Sequence, residues 1–301
     1  MTVTPEQATD AANEVFGRHF GFRALHAKGT LLKGTFNATP EAAALSTAAH
    51  LQGGSIPVTV RVSNGAGNPR AADYAPDVRG LGVKFYLPDE TRTDIVAQTA
   101  PWFPVHTPEG FVELLRATKA GPAMAWRFPI FLARHPEAIP SLRVNGPALL
   151  PPRSYATCRY YAVHAYRFVD AGGDGRYVRY TWLPENEEPR LNPVQARRLG
   201  RDYLNQEIRA RVARGPIRFT LQLQLAEAGD PVDDPHARWP GERRRVNAGT
   251  LEITALETER ETDGDVLVFD PSRVTRGIEL SDDPVLRFRP SAYSESVARR
   301  T

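Results

Sequence analysis

Residues 58–63, Val-Thr-Val-Arg-Val-Ser, alternate apolar and polar side chains without a break. Period-two alternation marks a strand with one buried and one open face. The same signal predicts strands over 82–87 and 94–98, separated by the turn residues Pro88-Asp89-Glu90. It recurs over 165–169, 177–183, 219–224, 250–256 and 266–269. Asp170-Ala-Gly-Gly-Asp-Gly175 joins two of these runs as a hairpin turn. Helical spacing is sparser. Thr4-Pro5-Glu6-Gln7 offers an N-cap followed by proline at the first helical position, which predicts a helix over 5–20. Residues 108–119 read as a second helix. The longest helical pattern covers 192–213, with Leu199, Tyr203, Leu204 and Ile208 in register. The segment 23–36 reads only as glycine-punctuated. About eight strands, neighbouring in sequence and with helices inserted, predict an α+β protein. Its antiparallel sheet or barrel carries helices outside, over one unit spanning 1–301.

Composition changes this picture little. The 301 residues are 41% hydrophobic, enough for a core. Lys and Arg number 38 against 35 Asp and Glu, so a dedicated nucleic-acid binder is not expected. The block Arg243-Arg244-Arg245 adjoins Glu242 and reads as solvated surface. One cysteine, Cys158, excludes a disulfide framework and reads as a core residue on the strand-like run 155–161. Residues 1–20 lack a basic start and an apolar run, so a cytoplasmic protein is expected. The most apolar stretch, 120–142, is broken by Arg127, Arg134, His135 and prolines, and no membrane span is expected. Gly65-Ala-Gly67-Asn-Pro-Arg70 starts like a dinucleotide loop but lacks its third glycine and reads as a turn.

Three segments carry candidate chemistry. They are Arg23-Ala-Leu-His26-Ala-Lys28-Gly29; Arg61-Val-Ser63 with Asp77-Val-Arg79-Gly80-Leu-Gly82-Val-Lys84-Phe-Tyr86; and Phe269-Asp270-Pro271-Ser272-Arg273 with Arg289-Pro290-Ser291-Ala292-Tyr293. Arg61 and Ser63 share one strand face. If Pro290 opens a helix, Arg289 and Tyr293 are one turn apart. An adjacent guanidinium and a ferric ion would each favour the phenolate. Taken alone, His26 also reads as an ordinary half-buried histidine, and Tyr293 as an amphipathic tyrosine near the end of the chain.

Together these segments resemble the haem catalase family. Asp94-Ile-Val-Ala-Gln98-Thr-Ala-Pro101-Trp-Phe103, Phe111 and Tyr161-Ala-Val-His164-Ala-Tyr-Arg-Phe-Val-Asp170 resemble it too, in the same order. The resemblance implies an antiparallel eight-stranded β-barrel with outer helices and haem b held between His26 and Tyr293. It makes His26 the acid–base, oriented by Ser63, and Tyr293 the axial iron ligand. Arg289 would support Tyr293, with Asp283 and His164 behind it. Arg23, Arg61 and Arg300 would meet the propionates, and Phe103 and Phe111 would pack on the His26 side. Gln98 stands where the family carries an asparagine, which puts peroxide orientation at issue. The length resembles small catalase-related peroxidases without the C-terminal helical region, and a homodimer or monomer is expected. The implied reaction is reduction of hydrogen peroxide or an organic hydroperoxide through a ferryl intermediate. A small organic electron donor would supply one electron at a time, and catalase activity would be weak. Alternatives are a hydroperoxide isomerase of the allene oxide synthase type, disfavoured by Leu25, and a non-enzymatic haem carrier.

Overall fold

Ile56, Val58, Val60 and Val62 on one strand, Leu81, Val83 and Phe85 on the next, and Ile95 and Ala97 on a third are all buried in one apolar cluster. That alternation closes a barrel. The structure is a computed structural model describing residues 2–262 and 265–300. Its strands are β1 Gly29–Ala38, β2 Ser55–Asn64, β3 Arg79–Tyr86, β4 Arg92–Gln98, β5 Tyr160–Val169, β6 Gly175–Pro184, β7 Ile217–Leu225, β8 Arg245–Leu256 and β9 Ile278–Leu280. The order β4-β3-β2-β1-β8-β7-β6-β5 closes through a β4–β5 pairing, Gln98 opposite Tyr161. The short β9 extends the sheet from β5. All pairings are antiparallel. Phe36, Phe85 and Trp182 meet edge-on inside, with centroids 5.3 and 6.1 Å from Phe36.

The helices are α1 Pro5–Phe16, α2 Pro40–Ala43, α3 Pro108–Ala117, α4 Met124–Arg134, α5 Ala138–Asn145, α6 Pro193–Arg198, α7 Tyr203–Arg214 and α8 Pro284–Ala298. A capping box at Thr4 and Gln7 starts α1, and Gly17 at φ 86° ends it, four residues before the predicted boundary. A second, smaller core under α3–α5 gathers Phe103, Val105, Leu114, Phe131, Val163 and Val285.

Four expectations change. Residues 266–269 form no strand; the ninth strand is Ile278–Leu280. Residues 29–38 are a full strand, its alternation masked by Gly34. A Cβ on Gly34 would stand 2.0 Å from the Glu252 carbonyl oxygen, beside a register shift. The pattern over 192–213 divides at Gly200, φ 100°, into α6 and α7. Pro290 does not open α8. The helix starts at Pro284, where Asp283 accepts from Val285 N at 2.8 Å and Leu286 N at 3.1 Å. Arg289 and Tyr293 still fall one turn apart. Cys158 is buried, with its thiol pushed up to about 11 by burial, as a core cysteine should be. Among the described residues no helix is long and apolar enough to cross a membrane.

Candidate functional site

Because Val60, Val62, Leu81, Val83, Ile95 and Ala97 point into the barrel, their neighbours point out. Register lines these neighbours up in rows. Ser63, Gly80 and Gln98 form one row, Arg61, Gly82 and Val96 the next, and Thr59, Lys84 and Asp94 the third. The two central glycines leave room that side chains would fill. A Cβ on Gly80 would lie 2.8 Å from both His26 Nδ1 and Ser63 Oγ, and one on Gly82 would lie 2.9 Å from the Phe269 ring. Asp94 fixes the segment that carries Phe269. It accepts from Lys84 at 2.6 Å, Arg273 at 2.7 Å and Asp270 N at 2.9 Å.

His26 sits at φ 55°, a left-handed conformation uncommon outside glycine. Two backbone bonds impose it, from His26 N to Gly65 O at 2.9 Å and from Ala27 N to Ala66 O at 3.1 Å. Gly67 lets that loop close in, since a Cβ there would meet the Ala24 carbonyl oxygen at 2.0 Å. The glycine pair that starts like a dinucleotide loop therefore clamps the histidine segment. His26 Nδ1 lies 3.0 Å from Ser63 Oγ. Surrounding protein, then Arg61, Arg289 and Arg23, bring His26 down to about 3. The ring is deep among protein atoms yet keeps an accessible face. It is neutral at any ordinary pH.

On the other side, Arg289 donates to His164 Nε2 at 2.9 Å, and His164 Nδ1 donates to Asp283 Oδ2 at 2.6 Å. This fixes one imidazole tautomer, and burial lowers the His164 pKa against the pull of Asp283. The strand irregularity between Ala162 and Tyr166 is where His164 leaves the regular ladder. The Arg289 guanidinium carbon stands 5.7 Å from the Tyr293 ring centre. Burial raises the Tyr293 pKa, and Arg289 opposes that rise without cancelling it. Without a metal, Tyr293 is a phenol.

Between the two halves lie Arg23, Arg61 and Arg300. Arg23 pairs with Glu261 and donates to Leu267 O at 2.6 Å. Arg61 donates to Ala27 O at 3.2 Å and is lowered to about 9 by burial and then by Arg23. Arg300 is lowered to about 10 by burial and then by Arg23, and its buried Nε has no partner. Among the described residues, these three guanidinium groups have one carboxylate, Glu261, to share, which leaves two positive charges unmatched there. A ligand with two carboxylates would complete the site. Ala24 N donates to Ser296 Oγ at 3.3 Å, tying the His26 segment to α8.

Phe103 and Phe111 stack with centroids 5.5 Å apart. Phe103 also lies 6.4 Å from the His164 ring. Gln98 is half-buried, and its amide makes no hydrogen bond with protein among the described residues. Gly80, Gly82 and Gly67 were not singled out as site residues from sequence. For Gly80 and Gly82 the strand partners supply the missing signal, because Gly80 sits opposite Ser63 and Gln98 and Gly82 opposite Arg61.

A family model described as Catalase matches residues 16–301. The catalase-related peroxidase of Mycolicibacterium paratuberculosis is 47% identical over 299 residues, 99% of this chain and 95% of that protein. That of Synechococcus elongatus is 34% identical over 302 residues, 99% of this chain and 89% of that protein. The crystal structure of a fungal catalase superposes with TM-score 0.85 at 24% identity. That match covers 94% of this chain, which spans 60% of the fungal one and shares its fold.

Proposed function

The chain belongs to the catalase family and is an oxidoreductase acting on peroxide, and from that premise we propose a haem b peroxidase that uses one-electron organic donors. The family implies haem, and the residues present fit it. The observation that carries the reading is the arginine trio. Among the described residues two unmatched cations stand beside His26 and α8, and haem carries two propionates. Gly80 lets His26 and Ser63 pack directly on the sheet, and Gly82 does the same for Phe269, which fixes the base beside the arginines.

Bound haem would supply a redox-active iron, with Tyr293 Oη as its protein ligand. The other work falls to this chain. Nδ1–H of His26 donates to Ser63 Oγ, which leaves Nε2 as the base. Nε2 takes a proton from one peroxide oxygen and returns it to the other, a transfer that contributes roughly 10²–10⁴-fold. A pKa of about 3 keeps Nε2 unprotonated until peroxide arrives. The free amide of Gln98 is available to orient the peroxide. Arg289, held by His164 and Asp283, offsets the developing charge on Tyr293.

The test loads the protein with haem and compares three rates: oxygen release from hydrogen peroxide, guaiacol oxidation, and consumption of an organic hydroperoxide without donor. Donor oxidation that dominates supports the peroxidase. Isomerised hydroperoxide without donor use points to the isomerase reading, and haem uptake without turnover to a carrier.

A further inference from the structure

Eleven large apolar side chains are exposed in the described structure, and seven fall between residues 124 and 150. They are Met124, Trp126, Ile130, Ile139, Val144, Leu149 and Leu150. On α4, Phe128, Phe131 and Leu132 face the second core, while Trp126, Pro129, Ile130 and Ala133 share the open side. A helix apolar all round is covered by protein or by lipid. On α5, Ile139, Pro140, Arg143 and Val144 are likewise exposed, while Ala138, Ser141 and Asn145 are buried.

The charge around this face is one-sided. Residues 119–153 carry Lys119, Arg127, Arg134, Arg143 and Arg153 against one carboxylate, Glu137, and His135 already engages it at 3.0 Å. Arg127 lies 5.3 Å from the Trp126 ring centre, a cation at the edge of the apolar side chains. Lys119, Arg127 and Arg143 form no ion pair among the described residues. Arg134 reaches Glu113 at 3.8 Å and Arg153 reaches Glu188 at 3.7 Å.

We infer that the outer face of α4 and α5 docks on an anionic lipid surface, lying in the interface rather than spanning it. Apolar side chains with tryptophan, fringed by arginine, match the physics of that interface, where burial and attraction to anionic headgroups add. A second copy is a poorer occupant. A twofold contact through this face would set the unpaired Lys119, Arg127 and Arg143 against the same three cations, with both Glu137 carboxylates already engaged. The inference does not depend on the haem reading. It has a functional consequence, because α4 packs on the core that holds Phe103 and Phe111, one helix layer from the site. Docking there would bring the site close to hydroperoxides formed in lipid.

The test floats the haem-loaded full chain with vesicles of phosphatidylcholine alone or of phosphatidylcholine with phosphatidylglycerol, at low and high salt. Binding is expected only with phosphatidylglycerol and should weaken as salt rises. Tryptophan emission should shift blue on binding, and the shift should be absent in Trp126→Phe. Ile130→Asp and Arg143→Glu, both at exposed positions, should each weaken binding about tenfold with the haem absorption spectrum unchanged. No binding to anionic vesicles overturns the inference, as does equal binding by these variants. A wild-type dimer in light scattering that Ile130→Asp converts to monomer overturns it too, and gives the face to a second copy.

Discussion

On the His26 side of the site, burial and the neighbouring arginines push in the same direction; on the Tyr293 side they oppose each other. A buried imidazole and a nearby cation both disfavour imidazolium, so His26 is a finished base before any ligand arrives. A buried phenol resists ionising, and Arg289 offsets only part of that cost. On the proposed reading the first half is complete in the protein alone, and the second would be completed by iron. The supports differ accordingly. His26 is set by sheet register and glycine clearances. Tyr293 hangs on a helix whose cap, Asp283, also anchors the His164–Arg289 chain.

The largest expected effects separate these halves. Tyr293→Phe should lower haem affinity and change the visible spectrum, while the haem-free protein stays folded. An unchanged spectrum would remove Tyr293 as ligand. His26→Ala should do the opposite, keeping haem and losing roughly 10²–10⁴-fold of peroxide turnover. Turnover within a few-fold of wild type would show that the base lies elsewhere.

The barrel was legible in the sequence, and the residues proposed for both poles of the site came from the resemblance. β2 alternates strictly, and Arg61 and Ser63 announce a shared face. The terminal motif stood out through its resemblance to the catalase family, and its one-turn spacing holds even though Asp283 rather than Pro290 starts the helix. What was hidden depends on contacts between distant segments. β1 is disguised by Gly34, whose reason is a carbonyl on β8. Gly67 reads as a turn until its approach to Ala24 is seen. The charge imbalance needs Glu261, which lies 238 residues from Arg23 and belongs to no motif. A neighbouring cation does not reveal the protonation state of Tyr293, because burial sets it and burial is a tertiary quantity.

Two smaller effects test how each half is held. In Gly80→Ala, the new Cβ would sit 2.8 Å from His26 Nδ1 and Ser63 Oγ, so the imidazole must move. Misplacing a catalytic group should cost about tenfold or more in turnover, with haem uptake close to wild type. Equal turnover would mean that His26 has room to spare. His164→Leu removes the acceptor of Arg289 and should shift the absorption spectrum of the bound haem more than it lowers turnover. The reverse result would move the His164 chain to the His26 side of the comparison.

The smallest effect contrasts His26 with a histidine that has no task in the site. His50 is buried in the barrel against Phe36 and Phe85, its Nδ1 has no partner, and burial alone brings it down to about 4. An unfolded chain takes up this proton as pH falls through 6.5, and the folded chain does so only near 4. The contribution of His50 to stability is therefore whole above pH 6.5 and is lost progressively between 6.5 and about 4. The slope it adds approaches about 1.4 kcal/mol per pH unit inside that window. His50→Phe should flatten the pH dependence of denaturant midpoints there without altering haem uptake or turnover. His26→Gln should flatten it over a wider span, down to about 3, and abolish turnover as well. Equal slopes in His50→Phe and wild type would mean that the barrel interior admits water or a proton at His50, and that the low His26 value owes more to its arginines than to burial.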